Sequence, residues 1–344
     1  MENNLRKKRF FSPLSLFFYF LVVISALVFI SRSDGLTAVI TSAEQINPWL
    51  LILATGMQTL TYVANAFVYS QIAKIYQKQP LLTIGEFLNC SVISLFLNQA
   101  VPSGGASGNS FMIFYLNKKN SDVKDSISII ALELFTYYAA HVALLLLLFF
   151  YFTVAFAQKI SGLFFTVGLI GLILFIIFGS LPIILGNQKI LLPLLEKIEK
   201  NKFIWKIFNH LRGNFQFETD YEWEDPWEIL KRKPGELLKP FFWQIVLFVC
   251  DIATIYFLFL GLGLPLNLPS VTLGFMSTKI ISIFSFMPGA LIFFEGGMVF
   301  FYTLLGIPAA GAFVVTILFR ALSFWLPMPL GLFLYRRLSN ENEN

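Results

Sequence analysis

Two apolar runs in this chain, 84–116 and 271–305, are too long to cross a bilayer once and too short to cross it twice. One transmembrane helix takes about 20 residues. Each run also breaks near its middle. Val101-Pro102-Ser103-Gly104-Gly105 interrupts the first, and Met287-Pro288-Gly289 interrupts the second. Proline removes a helix hydrogen bond and clashes with the preceding turn. Further apolar runs, at about 12–31, 49–73, 126–157, 161–186, 240–262 and 309–335, have ordinary spanning length. Hydrocarbon offers the backbone no hydrogen-bond partner, so these runs read as helices. Strands of a membrane barrel would alternate polar and apolar residues instead. The chain is 57% hydrophobic and 13% charged, where a soluble domain carries about 25% charge. That balance excludes a soluble enzyme, a disordered chain, a disulfide scaffold and a nucleic-acid module. The segment Arg6-Lys7-Lys8-Arg9 precedes a run from Ser12 to Ile30 that is too long for a signal-peptide core, so it reads as the first span.

Charge chooses between single spans and hairpins. If both long runs enter and leave on one side, 21 of the 25 Lys and Arg residues fall on the cytoplasmic side and two on the outside. If both cross, nine fall inside and fourteen outside. The positive-inside rule selects hairpins. The expected fold is therefore an all-α integral membrane protein. It is a polytopic helical bundle with about six full spans and two re-entrant broken-helix hairpins. The single domain occupies 1–344, lies in the plasma (inner) membrane and keeps both termini cytoplasmic. Span 49–73, hairpin 84–116 and span 126–157 form one unit. Span 240–262, hairpin 271–305 and span 309–335 repeat it in opposite orientation. In transporters an inverted repeat with matched broken helices marks a substrate site near the midplane. The alternative is an ordinary kink, which accounts for neither the excess length nor the charge balance.

The segment 187–240 carries ten basic and nine acidic residues with three tryptophans. Its first part, about 190–212, has apolar residues near helical spacing and reads as an interfacial amphipathic helix. A solvated connector and a gating or lipid-contact element are both open for it.

Ser103, Gly104, Gly105, Ser107 and Asn109 cluster at the first break. Glycine admits close backbone approach, and the hydroxyl and amide groups can donate hydrogen bonds. The arms that start here and at Pro288-Gly289 would present half-helix N-termini to an anion at depth. The competing reading is close packing, since Gly104 and Gly108 fit small-xxx-small spacing. Ionisable residues inside the apolar runs cost about 3 kcal/mol or more each, so each is a candidate. Glu133 lies 31 positions after Pro102 and Arg320 lies 32 after Pro288. Repeat symmetry pairs them across the midplane, either as a gate or as a structural salt bridge. Glu295 is expected to pair with Lys279 on the opposite arm. Asp251 stands mid-span. His141, alone on an apolar helix, reads as a packing residue, and Glu86 as solvated at the edge. No nucleotide, serine-hydrolase or metalloprotease motif occurs. No cofactor, metal site or catalytic residue is expected.

The stretch Phe286-Met287-Pro288-Gly289-Ala290-Leu291-Ile292-Phe293-Phe294-Glu295, followed by Leu305-Gly306-Ile307-Pro308, Phe319-Arg320 and Phe324-Trp325-Leu326-Pro327, resembles the lysylphosphatidylglycerol synthase transmembrane family, also called flippase-like. That family reads PGGLGxFE, LGVP, YR and FWLP. Pro102-Ser103-Gly104-Gly105 is similar to its first-half P-x-G-G motif. The resemblance implies a domain that moves aminoacylated or other polar lipids between leaflets. Its expected partners are membrane phospholipids or lipid-linked intermediates, with a separate transferase as supplier and no nucleic acid. The soluble aminoacyl-transferase domain of the full synthases has no counterpart in these residues. The alternatives are a membrane-embedded headgroup or glycosyl transferase and a non-transporting assembly partner.

Overall fold

The apolar runs become helices. The computed structural model describes residues 46–76, 82–101, 106–119, 121–155, 162–187, 190, 225–264, 266–283, 290 and 292–340. The expected first span and the amphipathic stretch 191–212 lie outside the described residues. Among the described residues, five helices are long and apolar enough to cross a membrane. The first is α1 (Pro48–Tyr76). The short α2 (Ile84–Ala100) and α3 (Ala106–Lys118) follow. Next come α4 (Val123–Phe150), extended by a π-turn over Tyr151–Ala155, and α5 (Gly162–Leu185). After the connector, α6 (Pro226–Arg232) and a 3₁₀ turn lead into α7 (Leu238–Gly261). The hairpin helices α8 (Leu268–Ser282) and α9 (Phe293–Leu304) precede α10 (Ala309–Arg320). A second π-turn, Ala321–Trp325, joins α10 to α11 (Pro327–Asn340). The protein is thus an all-α, multi-pass membrane protein, and no strand occurs among the described residues.

The central axis is the pair α1 and α7, which touch along their whole length. Asn47 N–H donates to the Gly261 carbonyl at 2.9 Å, and Thr254 Oγ1 donates to the Ala54 carbonyl at 3.3 Å. Near the other end, the Phe67 and Trp243 rings stack with centroids 4.3 Å apart. Numbers rise on α1 as they fall on α7, so the two helices are antiparallel. These are the first spans of the two units, and their opposed directions are what an inverted repeat requires.

Each long run folds back on itself. In the first, Lys119 Nζ meets Glu86 Oε1 at 2.8 Å, while Ser94 Oγ donates to the Gly108 carbonyl at 3.2 Å. Closer to the break, Gly108 N–H donates to Asn98 Oδ1 at 2.7 Å. The arms α2 and α3 are therefore antiparallel neighbours. The distance of approach explains Gly108, because a Cβ there would stand 2.4 Å from the Ser94 carbonyl oxygen. In the second run Tyr302 Oη donates to the Val271 carbonyl at 3.0 Å and its ring fills the space beside Gly274. Arms α8 and α9 are antiparallel in turn. Each hairpin leans on the other unit: α2 packs on α11, and α8 packs on α4 and α5.

The helix α5 shows how the bundle separates core from lipid. Gly171 admits Ile280 of α8, and Gly179 admits Tyr138 of α4. Its opposite side exposes Ile173, Ile176, Ile177 and Leu181. An exposed branched-aliphatic face of this size suits hydrocarbon and not water. The described end of the connector is docked. Asp225 caps α6 by accepting from Glu228 N–H at 2.8 Å, and α6 packs on α4 and α5.

Candidate functional site

The two hairpins bring their broken ends to the same height of the long helices. Arg320 ends α10 halfway along the last long helical stretch, Ala309–Leu338. Immediately after it the π-turn shifts the backbone pairing and exposes the carbonyls of Leu322 and Ser323. π-Bulges of this kind concentrate at functional positions. Tyr62 Oη, from the middle of α1, lies 3.4 Å from both carbonyls. Gln99 Nε2, from the last turn of α2, donates to Ser323 at 3.4 Å. The first hairpin therefore closes on this turn from one side.

The second hairpin closes on it from the other. Glu295, in the first turn of α9, accepts from Ile292 N–H through Oε2 at 2.7 Å. Its Oε1 receives Arg320 Nε at 2.5 Å. The Arg320 guanidinium also lies over Phe324 at 4.2 Å and Phe294 at 4.9 Å from the ring centroids. Two aromatic faces and a carboxylate are the surroundings that offset the dehydration of a guanidinium. Lys279, on α8, sits over Phe275 at 5.1 Å and within electrostatic reach of Asp251 and Arg320. Asp251 accepts from Gln58 Nε2 at 3.3 Å across the α1–α7 contact. Two acids and two bases thus form a charge-balanced group, gathered from α7, α8, α9 and α10.

A separate carboxylate lies deeper in the first unit. Glu133 on α4 is buried and accepts from Gln244 Nε2 of α7 at 3.3 Å. This corrects the symmetry-based pairing of Glu133 with Arg320. Arg320 pairs with Glu295, which also withdraws Glu295 from the expected partnership with Lys279. Spacing from the two prolines sets Glu133 and Arg320 at comparable heights but leaves the angle of each side chain around its helix undetermined.

The other sequence candidates divide. Ser103, Gly104, Gly105, Pro288 and Gly289 lie outside the described residues. Ser107 Oγ donates to the Leu97 carbonyl at 2.8 Å and contacts Asn98 Oδ1 at 3.2 Å, so it ties the arms together. Asn109 is half-buried one residue beyond Gly108. At Gly108 the close-packing reading is the one observed. The second arm begins at Phe293, four residues later than expected, and a carboxylate of the chain itself occupies its first turn. His141 is a packing residue, as expected: Nδ1 lies 3.0 Å from the Tyr137 carbonyl and the ring sits among Phe175 and Phe248. Glu86 does more than sit in solvent. It closes a capping box with Thr83 and binds Lys119. Those contacts, Lys119 first, hold its carboxyl below the usual glutamate range and lift the Lys119 ammonium above the usual lysine range. Sequence reasoning missed Gln58, Tyr62 and Gln244. Neutral polar side chains inside otherwise apolar runs were the available signal.

The sequence model of the lysylphosphatidylglycerol synthase TM region matches residues 16–331. The chain belongs to this family. A UPF0104 membrane protein of Methanocaldococcus jannaschii is 25% identical over 326 residues, covering 93% of each chain. A second UPF0104 membrane protein, from Pyrococcus horikoshii, is 25% identical over 252 residues, covering 70% of this chain and 72% of its own. In the family motif PGGLGxFE, the second and third glycines correspond to Ala290 and Ile292. These are the two non-glycine residues with positive φ among the described residues, at 54° and 73°. Both residues therefore hold a left-handed backbone that glycine adopts freely and a side chain resists.

Proposed function

We propose that this protein carries a polar or zwitterionic phospholipid headgroup between the leaflets of the plasma membrane, with the acyl chains remaining in lipid. In this reading both hairpins are re-entrant. The first dips from the cytoplasmic face and the second from the outer face, and both termini are cytoplasmic. The observation that carries it is the meeting of both hairpin ends at residues 320–323, midway along the long helices. Around that point stand Arg320, Lys279, Glu295 and Asp251. A headgroup with a phosphate and an ammonium offers each of these a replacement partner, so the internal ion pair can open without leaving a charge unpaired. Aminoacylated phospholipids have this chemistry, lipid-linked intermediates share its phosphate, and a separate transferase would supply either.

The test is leaflet-resolved transport in vesicles of phosphatidylethanolamine and phosphatidylglycerol containing the full chain. Fluorescent phosphatidylglycerol or lysyl-phosphatidylglycerol in the outer leaflet should become protected from a membrane-impermeant quencher. The lipids should be chemically unchanged by mass spectrometry. Altered lipid identity would favour a transferase, and folded protein that moves no lipid would refute the proposal.

A further inference from the structure

The helix α7 takes part in two buried carboxyl–glutamine pairs, one with α1 and one with α4. Gln58 of α1 donates through Nε2 to Asp251 of α7. Gln244 of α7 donates through Nε2 to Glu133 of α4. Gln58 is 5% exposed and Gln244 is 0% exposed. In both amides the nitrogen is used and the oxygen, Oε1, accepts no hydrogen bond. Buried amide oxygens almost always find a donor. An ionised carboxylate is an acceptor only and cannot serve. A protonated carboxyl can, because it accepts N–H through one oxygen and donates O–H from the other. One proton at each site would therefore satisfy the orphaned oxygen beside it and remove a charge that is costly at this depth.

Resting on the transport reading above, we infer that Glu133 with Gln244 and Asp251 with Gln58 are two proton-binding sites, and that headgroup movement is coupled to protons passing through them. The step is simple in balance: a carboxylate takes one proton from the aqueous side, becomes a hydrogen-bond donor to its glutamine, and returns the proton on the other face. The amide serves both states, donating N–H to the carboxylate and accepting O–H from the acid. Facing Glu133 are Tyr69 of α1 and Tyr137 and Tyr138 of its own helix. No described ion pair reaches it. Facing Asp251 are Tyr62 of α1, Tyr137 of α4, Lys279 of α8 and the adjacent Cys250. Lys279 lies within electrostatic reach of both Asp251 and Arg320, so the state of Asp251 is felt by the charge group at the hairpin ends.

Two measurements test this. Infrared difference spectra of the full chain in vesicles, titrated across neutral pH, should show protonated-carboxyl bands. Glu133→Gln and Asp251→Asn, which keep the shape of the acid, should each remove one band. Separately, an imposed gradient of about one pH unit should shift the steady leaflet ratio of fluorescent phosphatidylglycerol by up to about tenfold for each proton moved with the lipid. Collapse of the gradient with a protonophore should abolish the shift. Spectra in which neither substitution removes a band overturn the proton sites. Lipid that crosses with no response to the gradient overturns the coupling while transport stands. Bands present with no lipid crossing at all refute the transport reading and its coupling, and leave the proton sites supported.

Discussion

Ile292 carries the clearest local conflict in the chain. A β-branched residue at φ 73° is a backbone outlier, and such positions cost about 1–3 kcal/mol each. The cost is met by Glu295, which binds Ile292 N–H and Arg320 together. Ile292→Gly is expected to raise the thermal midpoint of the detergent-solubilised protein, by an amount equivalent to about 1 kcal/mol. A lower midpoint would mean that the Ile292 side chain contributes more than its backbone costs. The same residues show what could be read in advance. The importance of Arg320 and Glu295 was legible from their charge inside apolar runs, since a buried ion needs a partner. Their pairing was not, because partner choice depends on side-chain direction around each helix, and one sequence gives no measure of it.

At the scale of elements, the hairpins rest on contacts that are easy to disturb selectively. Gly108→Ala places a methyl group 2.4 Å from a backbone oxygen of the opposite arm, which cannot swing away. Overpacking of this kind costs about 1–3 kcal/mol. The arms should separate, seen as faster hydrogen exchange in α3 with α1 and α7 unaffected. The open end of this hairpin is held by Glu86 and Lys119. Because the Glu86 carboxyl is held low, its contribution is complete above the ordinary glutamate pKa of about 4.3. It disappears as pH falls through the lower folded-state value. Lys119, held high, contributes fully below the ordinary lysine pKa of about 10.4 and ceases to as pH rises past its folded value. Protection of α2 and α3 against exchange, taken relative to the intrinsic rate at each pH, should therefore be greatest between these limits, and Glu86→Gln should flatten the acid side of the profile. Both groups are partly exposed, so the effect is at most about 1 kcal/mol. Helix limits in this part of the chain were nearly legible. The expected break at Pro102 falls between α2 and α3, and the break at Pro288 between α8 and α9. The run 309–335 reads as one helix yet is divided by a π-turn, since hydropathy does not register one extra residue in the winding.

Over the whole molecule, the pairing of two similar units was legible from run length and proline position, while the lysine–arginine distribution speaks to membrane orientation. The antiparallel α1–α7 pair then follows from it. The cross-unit packing of each hairpin was not legible, since it depends on glycines such as Gly171 whose neighbours only the fold supplies. Membrane placement gives the corresponding prediction. Lys118→Cys and Arg337→Cys, each as a single added cysteine, should both escape an impermeant thiol reagent in intact cells and both react with it in inverted membrane vesicles. Labelling from opposite sides would mean that 84–116 crosses outright.

The opposed axis has an electrical corollary. A long helix carries a dipole equal to about half an elementary charge at each end. Two such helices lying head to tail, in contact from Asn47–Gly261 to Phe67–Trp243, cancel one another. The centre of the bundle then contributes almost no backbone torque under an applied voltage. Moving one full charge across 100 mV is worth about 2.3 kcal/mol, so in the proposed transport any voltage response should measure the combined net charge of the lipid headgroup and the protons that move with it.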